Sequence, residues 1–474
     1  MISSPVLPSR DDPAAAAASE WVGGRAGMHA VPGKHWWTPV RIALAVGCVV
    51  LALGVITNKP CHDMSWETRE DRTVWTSLCY TDVPFLYAER GLADGDLVYR
   101  DSALEYPVLT GAVMQASAYA AQAVQSAVDA DPADRVVAEG VRFYEITAVL
   151  MGVAALVVIV ATSRTVPRRP WDALLVAASP VLLISATINW DLLAVAATSV
   201  AILAWTRERP GWAGVLIGIG AAVKLYPILL LGVVFLVVLR EPERLAAFRR
   251  FVVTVVAAAV MWAAVNVPVA LWAWDGWTYF FTFNSDRGAE FGSVWYALEL
   301  LAPDLLHNDI DRMVVGAGLI MLGLVVVLAM MAPEPPRMTQ LAFLAVAAFL
   351  LINKVWSPQY TLWLVPLAVL ARPRWRELLI WQVAEVLYFV SVWFYLAGFF
   401  DPSNPMISGD VYAWSILLRV GALVWLCGVV CRDIIRPEHD PVRRVSDPAS
   451  CSHRHGTYAR DDGRARTAGR PTSA

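Results

Sequence analysis

The apolar residues of this chain fall into long runs of about 17–25, the length an α-helix needs to cross a hydrocarbon core about 30 Å thick. Nothing else constrains the fold as much. Inside such a layer the backbone must satisfy its own hydrogen bonds, so the crossing segments are expected to be helices and the chain an all-α integral membrane protein. Hydrophobic residues make up 57% of the 474 and charged residues 17%; soluble chains run to about 45–50% and about 25%. The 21 tryptophans suit positions at the membrane–water boundary. A net charge of −3 disfavours a globally basic nucleic-acid binder.

The first apolar run, Pro39 to Thr57, starts far from Met1 and lacks a small-residue cleavage pattern after it, so it reads as a retained span. Residues 1–37 form a disordered cytoplasmic arm in this reading, 38–435 the transmembrane domain, and 436–474 a disordered cytoplasmic tail. Cys451, His453 and His455 in that tail have nothing to fix a metal geometry. Cys48, Cys427 and Cys431 lie inside apolar runs, where a small buried residue is the ordinary role. Cys61 and Cys79 share the first large loop. A bridge between them is open if that loop faces an oxidising compartment.

Basic residues mark the cytoplasmic side of a membrane protein. Arg25, Lys34 and Arg41 precede the first span, and basic connectors follow at 164–169, 207–210, 240–250, 333–337 and 372–376, with the tail opening at Arg432. The stretch 58–106 instead holds ten carboxylates against five Lys and Arg, and the loop 273–312 is rich in Trp and Tyr. Both read as outside, the first outer loop with its juxtamembrane helices extending over 58–140. Runs lying between two inside connectors must go out and return. Run 212–239 therefore breaks near Lys224-Leu225-Tyr226-Pro227, run 338–371 at Asn353 to Tyr360, and run 171–206 turns at Asn189-Trp190-Asp191. By the same parity, 107–128 is a juxtamembrane or re-entrant helix. About twelve crossings result, with both termini cytoplasmic and the polar loops outside.

Ionisable groups at membrane depth are functional candidates because their burial is costly. Lys224 and Lys354 sit at two outward breaks, where they either snorkel to headgroups or form a paired anion site for a phosphate. Asp82, in Tyr80-Thr-Asp82-Val-Pro-Phe-Leu-Tyr87, is a carboxylate suited to removing a proton from a hydroxyl, although nine other loop carboxylates compete with it. Arg287 offers a fork suited to phosphate, or else a rim salt bridge with Asp286 or Glu290. His307 reads as a bystander. There is no GxxxxGK[ST], Rossmann glycine pattern or HExxH, so nucleotide hydrolysis and zinc proteolysis have no support.

Five segments give the chain a resemblance: Asp82 after the first span, Glu105-Tyr106-Pro107, Arg287-Gly288 to Ser293-Val294-Trp295, Asn353-Lys354 with Ser357-Pro358-Gln359-Tyr360, and more weakly Lys224-Leu225-Tyr226-Pro227. In their order over roughly residues 38–372, the chain resembles the GT-C superfamily of polytopic glycosyltransferases, most closely glycosyltransferase family 87, the polyprenyl-phosphate-mannose-dependent mannosyltransferases. Departures are Tyr106-Pro107-Val108 where relatives show Tyr-Pro-Pro, Pro84 after Asp82, and a longer first loop.

The resemblance implies a GT-C fold with outer-face juxtamembrane helices. It also implies a polyprenyl-phosphate sugar as donor and a cell-envelope glycan or glycolipid as acceptor, with membrane lipid around both. Asp82 is then the catalytic base, with Arg287, Lys354 and Lys224 at the lipid phosphate and Glu105, Tyr106, Ser293, Gln359 and Tyr360 as further substrate contacts. No metal or other cofactor is expected. The transfer is expected to be inverting and at the outer face of the plasma membrane. A transporter or lipid flippase is the main rival, since broken helices are also that class's signature. A non-catalytic envelope scaffold is the third reading.

Overall fold

The computed structural model of the chain describes residues 12–14, 17–18, 37–66, 72–125, 132–305 and 310–446. Among them the architecture is helical, with one isolated β-bridge between Val98 and Ser102. Most of the N-terminal arm, His307 and the tail beyond 446 lie outside the described residues, as do Cys451, His453 and His455.

The order of elements follows the apolar runs. A first span, α1 (Pro39–Thr57), leads into a loop region with α2 (Lys59–Asp63), α3 (Arg72–Thr76), α4 (Asp82–Glu89) and α5 (Val108–Gln125). The long α6 (Pro132–Thr165) begins earlier than its apolar run. Then come α7 (Ala173–Ala177), α8 (Pro180–Ser185), α9 (Asp191–Thr206), α10 (Pro210–Val223), α11 (Leu229–Leu239) and α12 (Arg244–Trp272). The second loop region carries α13 (Trp274–Asp286) and α14 (Val294–Leu301). The remainder is α15 (Ile310–Met331), α16 (Met338–Ile352), α17 (Thr361–Ala371), α18 (Trp375–Phe400), α19 (Gly409–Ile435) and α20 (Pro441–Ser446).

Among the described residues, six helices are long and apolar enough to cross a membrane: α1, α6, α12, α15, α18 and α19. Between them lie shorter apolar helices, among them α9, α10 and α16 of 16, 14 and 15 residues. At 1.5 Å per residue such helices reach roughly 21–24 Å. Starting from one face of a layer about 30 Å thick, they stop inside it. The chain breaks where proline and polar residues interrupt the runs, at 186–190, 224–227 and 353–360, and all three breaks border one cavity. Helix α5 is separate from the spans and packs on α6, α10 and α12.

A break frees backbone groups that membrane-depth structure must satisfy with protein. At 353–360 that task falls to Arg419, fully buried in the middle of α19. Its guanidinium donates to the Trp356 carbonyl (2.8 Å) and the Thr361 hydroxyl (3.0 Å). It pairs with Glu385 of α18 (2.8 Å) and is sandwiched between the rings of Trp356 and Tyr388, 3.9 and 4.0 Å away. Glu385 also accepts from Thr361 (2.9 Å) and the Trp381 indole (3.0 Å). The loop before α14 rests on the same group. Gly292, at φ +80°, brings its backbone so close that a Cβ would stand 2.2 Å from the Trp356 carbonyl oxygen.

At the opposite ends of α16 and α17 lies a second set of buried charges. Arg337 donates to the carbonyls of Leu370 (2.8 Å) and Ala371 (2.5 Å), the last turn of α17, and pairs with Asp440 at 2.9 Å. Arg372 pairs with Asp433 and Glu377, and Arg169 with Asp172. This corrects the expected start of a disordered tail at 436. Residues 437–446 form two short helical segments because fully buried Asp440 ties them to Arg337.

Removing one member of a buried ion pair strands the other charge, at a cost of about 3–5 kcal/mol. Arg419→Met should therefore lower stability by about that much, and adding Glu385→Leu should recover part of the loss. Thermal unfolding of the two variants in one detergent reads both effects.

Candidate functional site

The three breaks and both loop regions enclose a cavity of about 580 Å³. Its chemistry begins at Asp82, the first residue of α4, whose helix start is fixed by Thr81. The Thr81 hydroxyl accepts from the Val83 amide (3.3 Å) and donates to the Thr187 carbonyl (2.7 Å). The Asp82 amide in turn donates to the Ile188 carbonyl (3.0 Å), docking the loop onto the turn before α9. Cys61 and Cys79 are joined as a disulfide three residues upstream. The half-buried Asp82 carboxylate accepts from the Tyr80 hydroxyl (2.8 Å) on one oxygen and from the Asn189 amide (3.0 Å) on the other. Asn189 donates also to the Tyr106 hydroxyl (2.6 Å). Two fixed donors hold the carboxylate while it faces the cavity.

Lys224 supplies the opposite charge. It ends α10 in extended conformation, and its side chain is 12% exposed. The ammonium lies 3.7 Å from Asp191 and over the faces of Tyr106 (4.7 Å) and Tyr360 (5.4 Å). Among the described residues no acceptor comes within hydrogen-bonding distance of it. Asp191, fully buried, is held by the Trp363 indole at 2.7 Å, and Trp363 is stacked between Tyr226 and Tyr360 at 4.2 and 4.3 Å. An ammonium with three unanswered donors, set in aromatic walls and open to a cavity, is built to receive an anion.

The other two cations are occupied. Arg287 lines the cavity with its fork closed on Glu290. Burial alone would lower its pKa, and the Glu290 carboxylate more than reverses that. Lys354 donates to the Ser285 carbonyl (2.9 Å) and pairs with Asp311 (2.7 Å), pinning the end of α13 to the break. Both line the cavity, but a ligand must compete with Glu290 and Asp311 to engage them.

Of the other residues expected at the substrate, Glu105, Tyr106, Gln359 and Tyr360 also line the cavity. Glu105 is held in a two-pronged pair by Arg90 (2.8 and 2.9 Å), which raises the Arg90 pKa. Burial pushes the Tyr106 phenol well above its ordinary value, so it stays protonated. Ser293 is not part of the lining. It is fully buried, donates to the Glu290 carbonyl (2.8 Å) and caps α14 by accepting from the Tyr296 amide (3.1 Å). The amino-acid pattern presents Asn189 and Asp191 only as turn residues and does not single out Tyr80 or Trp363. Glu385 and Arg419 also go unmarked in it, although charges inside apolar runs are signal enough.

The family model for glycosyltransferase family 87 matches residues 138–358, which carry Asn189, Lys224, Arg287 and Lys354. Over that stretch, just under half of its length, the chain is similar to the family 87 glycosyltransferases. Its long apolar helices make it a multi-pass membrane protein, and the family match favours a transferase over a transporter or scaffold. No curated protein matches the chain. Among solved structures, ArnT from Cupriavidus metallidurans bound to undecaprenyl phosphate is similar at 15% identity, over 80% of this chain and 77% of that one, with a TM-score of 0.40. Its apo form is 17% identical over 77% and 76%, also with a TM-score of 0.40.

Asn189→Leu removes a donor to a charged acceptor. Such bonds contribute about 1.5–3 kcal/mol, so sugar transfer should fall roughly ten- to hundredfold. A matching rate constant in the variant would show that Asn189 does not position Asp82.

Proposed function

We propose that this protein is a family 87 glycosyltransferase that transfers a hexosyl group, mannosyl in the first instance, from a polyprenyl-phosphate sugar to a cell-envelope glycan or glycolipid. The observation that carries the reading is the pairing, in one cavity, of a carboxylate held by two donors with an ammonium that has no hydrogen-bond acceptor among the described residues. Asp82 and Lys224 are the two groups an inverting transfer from a phosphate leaving group requires.

Asp82 accepts the proton of the acceptor hydroxyl as that oxygen forms its bond to the anomeric carbon. The bond from the anomeric carbon to the phosphate oxygen breaks, and its electron pair leaves with the polyprenyl phosphate. Lys224 faces the charge that grows on that phosphate, where a fixed cation in a dry site is most effective. Arg287 and Lys354 are the second line of cations, reached by exchange with Glu290 and Asp311. The bilayer confines donor and acceptor to one surface, which supplies proximity. With Lys224 at the leaving group, the reaction runs without a metal bridge, and chelation with EDTA should leave the rate within about twofold.

The site faces the outer side in this proposal, with about twelve crossings and both termini cytoplasmic. The Cys61–Cys79 disulfide supports that side, since disulfides persist in oxidising compartments. The positions of the basic connectors support it as well.

The test is transfer by purified protein in lipid, from radiolabelled polyprenyl-phosphate-mannose to an envelope lipid extract. Wild type should move label to an acceptor, and Asp82→Asn should abolish transfer without changing the melting temperature. An active Asp82→Asn enzyme would remove the base from this scheme. Lys224→Met should instead weaken donor binding, seen as a raised KM.

A further inference from the structure

Among the described residues, two buried polar atoms in the cavity wall have no hydrogen-bond partner, and they are of opposite kinds. Gln359 is 5% exposed and its Oε1, an acceptor, finds no donor. Trp393 is 3% exposed and its Nε1–H, a donor, finds no acceptor. Both residues line the cavity, and the helix that carries Trp393 packs against the 358–360 turn that carries Gln359. The same wall reaches the carboxylate: Trp393 lies against Tyr80 (5.1 Å between rings), which donates to Asp82.

Three other buried indoles have acceptors, Trp363 in Asp191, Trp381 in Glu385 and Trp295 in the Ile352 carbonyl. Trp171, Trp190 and Trp356 also lack partners, but they do not line the cavity. Buried polar groups left unpaired are costly, and where they cluster on a ligand cavity the missing partner belongs to the ligand. The chemistry of that partner can be narrowed. A phosphate diester oxygen accepts but cannot donate to Gln359. A prenyl chain does neither. A sugar hydroxyl does both.

We propose that Gln359 and Trp393 form a hydroxyl-reading subsite for the hexose of the donor, in the wall that reaches the Asp82 carboxylate through Tyr80. This rests on the transfer reading given above and adds to it the part of the wall that selects the sugar. Gln359 accepts from a ring hydroxyl, and the Trp393 indole donates to a hydroxyl oxygen. A site whose buried groups need a hydroxyl rejects a ligand lacking it far more strongly than an apolar pocket rejects an extra group.

The experiment compares wild type, Gln359→Met and Trp393→Phe in lipid nanodiscs, each by two measurements. The first is binding of sugar-free undecaprenyl phosphate, and the second is kcat/KM for transfer from polyprenyl-phosphate-mannose. Both variants should bind the sugar-free carrier within about twofold of wild type, which also reports that they are folded, while kcat/KM falls roughly ten- to hundredfold. If the sugar-free carrier is lost in parallel, the two residues serve the phosphate or the fold and the subsite is overturned. Unchanged kcat/KM in both variants overturns it too, with the transfer function intact. Absence of transfer by wild type overturns the transfer reading itself and this subsite with it.

Discussion

A buried arginine is what the rest of this structure depends on. Arg419 sits in the apolar interior, clamped between two rings and paired with Glu385, and it answers the backbone groups that the 353–360 break leaves open. The catalytic-side loop is stacked on that point through Gly292. Helices α16 and α17 can therefore stop short of a full crossing without stranding polar groups in hydrocarbon, and the space they leave becomes the cavity. The break near Lys224 follows a related rule with other means. Tyr226 and Tyr360 enclose Trp363, whose indole holds the Asp191 carboxylate beside the ammonium.

Charge in this protein is thus divided by task. At one end of the short helices, Arg337, Arg372, Asp433 and Asp440 satisfy helix ends and bind the start of the C-terminal segment. At the other end Lys224 has no hydrogen-bond acceptor among the described residues, while Arg287 and Lys354 hold partners at the cavity rim. The contrast separates charges buried in the framework from charges that line the cavity.

Much of this is readable from the residues. Proline after Lys224 and the polar stretch from Asn353 to Tyr360 announce the breaks, because such residues cannot continue an apolar helix. Charge asymmetry of the loops groups Asp82, Arg287 and Lys354 on one side, and the structure brings them to one cavity. What stays hidden are partnerships across the sequence. Nothing near Asn189 says that it will hold a carboxylate 107 residues away, and nothing near Ser293 says that its hydroxyl will be spent on a helix cap. The residues around Arg287 leave it open between phosphate and a salt bridge, and only packing brings Glu290 into its fork. Such pairings are tertiary, and a linear pattern carries no record of them.

The Arg419–Glu385 pair also bears on how the chain is made. Each of its two helices, released alone into lipid, would carry an unpaired charge near its centre, at a cost of about 2.5–3.5 kcal/mol for the arginine on insertion scales. The helices are consecutive, joined only by residues 401–408. The economical route for biosynthesis is for α18 to wait at the insertion machinery until α19 arrives, so that the two enter the bilayer as a hairpin with the charges already matched. The same step would set Arg419 against the Trp356 carbonyl of the 353–360 break.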